Sequence, residues 1–236
     1  KYRNIPVALP IGDNQAGVFA SLTSLDQVLI NVGTSSQITI IDETFEYQNG
    51  SIETRPFVNG NYIKTGSALC GGSAYAALAD FVMDVFREFG IPMQREEIYS
   101  HLNHLAEGKL PFPLHIDTCF LGSRDDPAKK ALISELGFEN FDLAHLTQGI
   151  LYGIICELHR MYEQIKGRKD YIPVISGNAM RKCPALRTIT EQVFGKRPLF
   201  LRCPEEAAYG AALYGAVSAG VIDENEVSQF IVYERK

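Results

Sequence analysis

The sequence predicts an α/β domain built on a mixed sheet flanked by helices. Three observations carry that expectation. Apolar runs of strand length come early in the chain, at residues 5–11, 27–32 and 37–42. From Gly71 onward, stretches with helical spacing alternate with short β-prone runs. Three of the strand-like runs end abruptly in small and polar residues, in GDNQAG, NVGTSSQ and ISGNAMRK, as strands do when they feed loops at one edge of a sheet.

Taken in order, residues 5–11 (IPVALPI) form an apolar run that Gly12-Asp13-Asn14 breaks, so Asp13 is expected at the end of a buried strand. Residues 27–32 (QVLINV) read as a second strand, ending at Gly33-Thr34-Ser35. Residues 37–42 alternate Ile with polar residues, which predicts a third strand with one wet face. Residues 43–64 are turn-rich, and Asn49-Gly50 and Asn59-Gly60 are hairpin signals between short β-prone runs. Gly71-Gly72-Ser73 opens a helix over 75–89, which Gly90-Ile91-Pro92 stops. A helix over 96–106 leads into a proline-rich loop, 110–123, containing one short strand-like piece. Asp126-Pro127 marks a helix start. The longest helical pattern, 146–165, is closed by Gly167, and a short apolar strand, 171–175, runs into Ser176-Gly177-Asn178. A helix over 183–194, a short strand at 198–201 and a small-residue helix over 205–219 follow, with Gly220 as its cap and an acidic tail behind it.

Composition narrows the function classes. The 236 residues are 46% hydrophobic and 21% charged, which fits one compact globular domain and excludes a disordered or fibrous chain. A net charge of −6 speaks against sequence-blind binding to nucleic acid or to an anionic membrane surface. No apolar run reaches membrane-spanning length, and the N-terminus lacks the apolar core of a signal peptide. The five cysteines are odd in number and form no C-x-x-C pair, so buried free thiols in a reducing cytoplasm are expected. His101 and His104 lie one helical turn apart, but no third ligand follows them, and no metal site is expected from this chain's own residues.

The chemistry is expected at the three strand ends. Glycine lets backbone N–H groups approach an anion, and Thr or Ser hydroxyls add donors, so Gly33-Thr34-Ser35 reads either as a phosphate contact or as a plain turn. Asp13 reads either as a general base for a substrate hydroxyl or as an Asp that bonds its own turn. Gly72 and Gly177 read either as helix-entry and strand-exit glycines or as positions left bare so that a flat ligand can lie against the backbone. The Ala- and Gly-rich last helix reads as close packing of backbone on backbone.

In order and spacing, these motifs resemble the C-terminal domain of the FGGY carbohydrate kinases, and the resemblance covers essentially the whole chain. GDNQAG resembles the family's Gly-Asp-x-Gln segment, NVGTSSQ its phosphate segment, and FLGSRDDP (residues 120–127) its Gly-x-Arg-x-Pro loop. ISGNAMRKCPALRTITEQVFGKRPLF resembles its adenosine segment and EEAAYGAALYGA its closing helix. The details of VALPIGDNQAGVFASL and NVGTSSQI are similar to those of the sedoheptulokinase-like subgroup. The resemblance implies a ribonuclease-H-like fold of the actin-like ATPase and sugar kinase superfamily. It also implies ATP and Mg²⁺ as partners in phosphorylating a ketose or related polyol. Carried onto this chain, it makes Asp13 the catalytic base and places Asn14 against the sugar, with Gln15 keeping the family's glutamine. Gly33 and Thr34 fall at the terminal phosphates, and Gly72 and Gly177 in the nucleotide site.

Arg181 stands where some relatives place an adenine-contacting Asn, and Ala76 where some place a polar residue. On this reading the chain is half of a two-domain kinase, starting near a domain boundary. The N-terminal half would supply most sugar contacts and most of the Mg²⁺ coordination, and this half alone would be inactive. The other reading is a non-catalytic actin-like module that binds a ligand for regulation.

Overall fold

The computed structural model describes residues 7–48, 50–111, 113–167 and 170–234. Its centre is a six-stranded mixed sheet made by β1 (Gln27–Val32), β2 (Ser36–Asp42), β3 (Ile52–Pro56), β4 (Tyr62–Ala68), β7 (Ile172–Ser176) and β8 (Leu199–Phe200), in the order β3-β4-β2-β1-β7-β8. The first four strands pair antiparallel, and β7 and β8 add in parallel beyond β1. β1 sits centrally because it is apolar on both faces. Val28, Ile30 and Val32 point one way, and Leu29 points the other.

Two helical layers cover the sheet. On one face lie α2 (Gly72–Glu88), α4 (Leu143–Ile165) and α6 (Pro184–Phe194), with α3 (Arg95–Leu105) joining the same core. The hairpin of β5 (His115–Asp117) and β6 (Leu132–Ser134) packs on the outer side of α4. On the other face lie α1 (Asp13–Phe19), α7 (Glu206–Ser218) and the C-terminal segment. The short α5 (Asn178–Lys182) connects β7 to α6. None of the described helices is long and apolar enough to cross a membrane.

The small-residue pattern of α7 has its expected use. A Cβ on Gly210 would lie 1.8 Å from the Ala16 carbonyl oxygen, so α1 and α7 meet backbone to backbone. The Asn59-Gly60 signal also holds. Both residues take positive φ, and the turn joins β3 to β4. Asn49 lies outside the described residues.

Four expectations need correction. The strand over 5–11 begins in residues outside the description, and residues 7–12 are not strand. Val7 and Leu9 are 68% and 80% exposed, and an apolar run with no neighbouring strand to pair with gains nothing from extension into a sheet. Asp13 therefore opens a helix instead of ending a strand. Asp126-Pro127 starts no helix: the Asp126 carboxylate accepts the Ala128 N–H in a tight turn, and the chain goes on to β6. The polar side of β2 is not open to bulk water, since Thr39 is buried against Thr65. Of the free cysteines, Cys70, Cys119 and Cys183 are buried, whereas Cys156 is exposed and Cys203 half-buried.

Candidate active site

Strand parity builds the floor of a cleft. Leu29 and Asn31 on β1 face the same way as their partners Thr39 and Gln37 on β2, toward the α1 and α7 side of the sheet. Asp13 and Asn14, at the first turn of α1, and Glu206, at the first turn of α7, close over that floor. The result is a polar cleft of about 180 Å³. The alternation of β2 is therefore real, but its polar face looks into this cleft.

Asp13 is exposed, and its Oδ1 accepts the Asn14 N–H at 2.7 Å. Oδ2 has no hydrogen-bond partner among the described residues, so local turn chemistry holds only one oxygen of a carboxylate that lines the cleft. Asn14 Nδ2 donates to Thr65 Oγ1 at 3.4 Å, which connects α1 to the sheet. Asn31 Nδ2 donates to Ser176 Oγ at 2.8 Å, tying β1 to β7 at the edge where both strands end.

Beyond that edge the other sequence-predicted residues gather. The Gly72 N–H donates to the Gly33 carbonyl at 2.8 Å and the Ser73 N–H to the Thr34 carbonyl at 3.1 Å, so the start of α2 is seated on the β1–β2 turn. Thr34 is exposed, and its hydroxyl has no partner among the described residues. Gly72 and Gly177 are required by the chain itself. A Cβ on Gly72 would meet the Gly33 carbonyl oxygen at 2.7 Å, and one on Gly177, where φ is +97°, would meet the Val32 carbonyl oxygen at 2.5 Å.

Arg181 is held away from the Asp13 cleft. Its guanidinium donates to the carbonyls of Leu201 (3.0 Å) and Cys203 and to Glu206 Oε1 (3.3 Å), and lies over the Phe200 ring. It braces the β8–α7 connection, and a side chain so engaged is not free to follow an adenine ring. Two buried polar atoms are without partners among the described residues, Ser73 Oγ and Arg181 Nε. They sit on the two segments, around Gly72 and Gly177, that the sequence assigns to the nucleotide.

Sequence reasoning missed Asn31, Gln37, Thr39, Ser73 and Glu206. Glu206 matters most. It lines the Asp13 cleft while its Oε1 accepts the Gly177 N–H at 3.3 Å, so it joins the cleft to the glycine-rich loop. An acidic residue opening a helix was the available signal, but in EEAAYG two glutamates compete and only the fold selects one.

No protein-family model matches the chain. Over 215 residues, 88% of its length, the chain is 24% identical to the sedoheptulokinase of Mus musculus, and the matched stretch is 45% of that protein. The chain thus spans about half the length of the curated relative. Its fold superposes on the xylulose kinase of Rhodospirillum rubrum with a TM-score of 0.79 at 21% identity, covering 95% of this chain and 45% of that one. It superposes on the Plasmodium falciparum glycerol kinase solved with ADP with a TM-score of 0.74 at 17% identity, covering 99% and 47%. The sheet and its two helical layers are the fold of the matched parts of these two structures. The resemblance read from the motifs therefore stands in sequence and in fold: this chain is matched by a little under half of a carbohydrate kinase, as a C-terminal FGGY domain would be.

Proposed function

We propose that this chain is the C-terminal, base-bearing half of a cytoplasmic two-domain kinase. In this reading it transfers the γ-phosphoryl group of ATP to a hydroxyl of a ketose or related polyol, with sedoheptulose the first sugar to test. The observation that carries the reading is a carboxylate with one free oxygen, Asp13, in a polar cleft that Glu206 joins to the Gly177 loop. Asp13 takes the proton of the attacking hydroxyl. Asn14, Asn31, Gln37 and Thr39 offer paired donors and acceptors, the chemistry that selects a polyol over an apolar substrate.

The Gly33-Thr34 turn supplies the free Thr34 hydroxyl to the terminal phosphates. Ser73 Oγ and Arg181 Nε are the buried donors that a bound nucleotide would satisfy. Among the described residues no three His, Cys, Asp or Glu cluster as metal ligands. Among the described residues, Asp13 and Glu206 are the carboxylates lining the cleft, and they would be the ones to help hold Mg²⁺. Bound there, the metal would neutralise charge on the transferring phosphoryl group.

The test is a panel of ketoheptose, ketopentose, gluconate and glycerol assayed with the two-domain protein, with and without Asp13→Asn. Sugar-dependent ADP release that disappears in the variant is the expected result. Release that survives it removes the base from the mechanism. Nucleotide binding without phosphorylation of any sugar would favour the non-catalytic module. This half alone is expected to show no sugar-dependent turnover.

A further inference from the structure

A second and larger cavity, about 470 Å³, lies on the other side of the sheet, within the range of roughly 300–1,000 Å³ usual for small-molecule pockets. Its floor is one stripe of α4, His145, Gly149, Tyr152, Cys156 and Arg160, spaced three or four residues apart and extending roughly 22 Å at the rise of a helix. Its far wall is Lys109, Leu110 and residues 113–117, with Leu132 and Ser134 of β6. Glycines set the distance between the walls. A Cβ on Gly153 would lie 2.2 Å from the Ile116 carbonyl oxygen and one on Gly149 2.8 Å from that of Leu114, so β5 rests directly on the helix backbone.

The charges of this groove do not cancel. Asp117 is paired with Lys129 at 2.7 Å, and His115 faces Glu135 at 3.5 Å. His145 has an acceptor at each ring nitrogen, Asp142 at 2.7 Å and the Pro111 carbonyl at 2.9 Å. Glu157, on the same helix, turns its carboxyl inward to Thr118 at 3.3 Å and Cys119 at 3.8 Å, off the groove. Lys109 and Arg160 remain, with no ion-pair partner among the described residues. They border a groove whose apolar lining includes Leu110, Pro113, Leu114, Leu132 and Tyr152, with Asp117, His115 and His145 among its polar residues.

A mainly apolar trough bordered by two cations that make no ion pair among the described residues complements an anion with an apolar body. We propose that this groove is a binding site for a medium-chain aliphatic carboxylate, its chain along α4 and its carboxylate on Lys109 or Arg160. The proposal is independent of the sugar-kinase reading, because the groove shares no residue with the Asp13 cleft.

The test is calorimetric titration of the chain with decanoate below its micelle-forming concentration, beside hexanoate, decanol and decyltrimethylammonium. Decanoate is expected to bind saturably at one site, with roughly threefold tightening per methylene between hexanoate and decanoate. Decanol should be several-fold weaker and the ammonium undetectable. Arg160→Gln and Lys109→Gln should each weaken decanoate by roughly threefold to tenfold and leave decanol unchanged. Cys156→Trp, at an exposed position, should fill the trough and abolish both without lowering the melting temperature. Equal affinity for decanoate and decanol, indifference to both charge variants, or no saturable binding would overturn the proposal. So would a concentration-dependent dimer that Cys156→Trp dissociates, since a second copy would then be the occupant.

Discussion

The two cavities occupy opposite faces of one sheet and are built from different materials. The Asp13 cleft is small and polar, and its floor is the side chains of β1 and β2 themselves. The α4 groove is larger and mainly apolar, separated from the sheet by a whole helix. A strand presents alternate residues at fixed spacing on a stiff ladder, so a site laid on it inherits its precision. A groove between a helix and a short hairpin depends on which small residues let the two approach, here Gly149 and Gly153. The difference teaches that rigid hydrogen-bonding chemistry is seated on the sheet, while the adaptable apolar volume sits outside α4.

The contrast can be broken or sharpened experimentally. The largest effect is expected at the polar cleft. Asp13→Asn should reduce sugar phosphorylation by the two-domain protein by about a thousandfold. Its melting temperature should not change, because the Asp13 side chain is exposed and makes one local hydrogen bond. Next comes the scaffold of that cleft. Gly210→Ala would force the Ala16 carbonyl, and with it the helix bearing Asp13, away from α7. A cost of about 2–3 kcal/mol in denaturant melts is expected, despite the ~1 kcal/mol that alanine normally gains inside a helix. A stable variant would mean that α1 shifts freely.

A third prediction concerns the α4 side, where Lys64, its side chain only 6% exposed, pairs with Asp42 at 2.9 Å. Burial alone would raise the Asp42 pKa, but Lys64 and the N–H and hydroxyl of Thr44 outweigh it and hold the pKa at about 2. A folded pKa below the unfolded one stabilises above pH ~4, and that contribution is lost as pH falls toward 2. It is worth about 2 kcal/mol. Asp42→Asn should therefore flatten stability against pH between about 4 and 2, as followed by thermal melts.

The smallest effect is expected at Glu206. Glu206→Gln should raise KM for the nucleotide by roughly tenfold, as a charge-assisted bond to Gly177 and Arg181 is weakened, with kcat less affected. An unchanged KM would detach the glycine loop from the cleft.

Much of this was legible beforehand, for identifiable reasons. β1 and β7 announce themselves as short β-rich runs closed by glycine, and α2, α4 and α6 by helical spacing with glycine stops. Asp13 and Asn14 stand out in the sequence because a motif carries them, and both line the cleft. The strand over 5–11 was misread because an apolar run states that burial would be favourable, not that a partner strand exists. The hold that the carbonyls of Leu201 and Cys203 keep on Arg181 was not legible, because those partners lie about twenty residues away in sequence. Gln37 and Thr39 were visible as a polar alternation, but period-2 patterning cannot tell a face turned to bulk water from one turned to a site.

By itself, the sequence determined the element types, the α/β class and the motif order that resembles a sugar kinase. Those depend on local periodicity, turn chemistry and residues adjacent along the chain. Only the tertiary structure decided that Glu206 and not Glu205 faces Asp13. It likewise decided that a Cβ at Gly72 or Gly177 would meet the chain's own carbonyls, and that a groove bordered by Lys109 and Arg160 lies outside α4. These are facts of distance between segments remote in sequence, fixed by how closely backbones pack, and no local pattern encodes them.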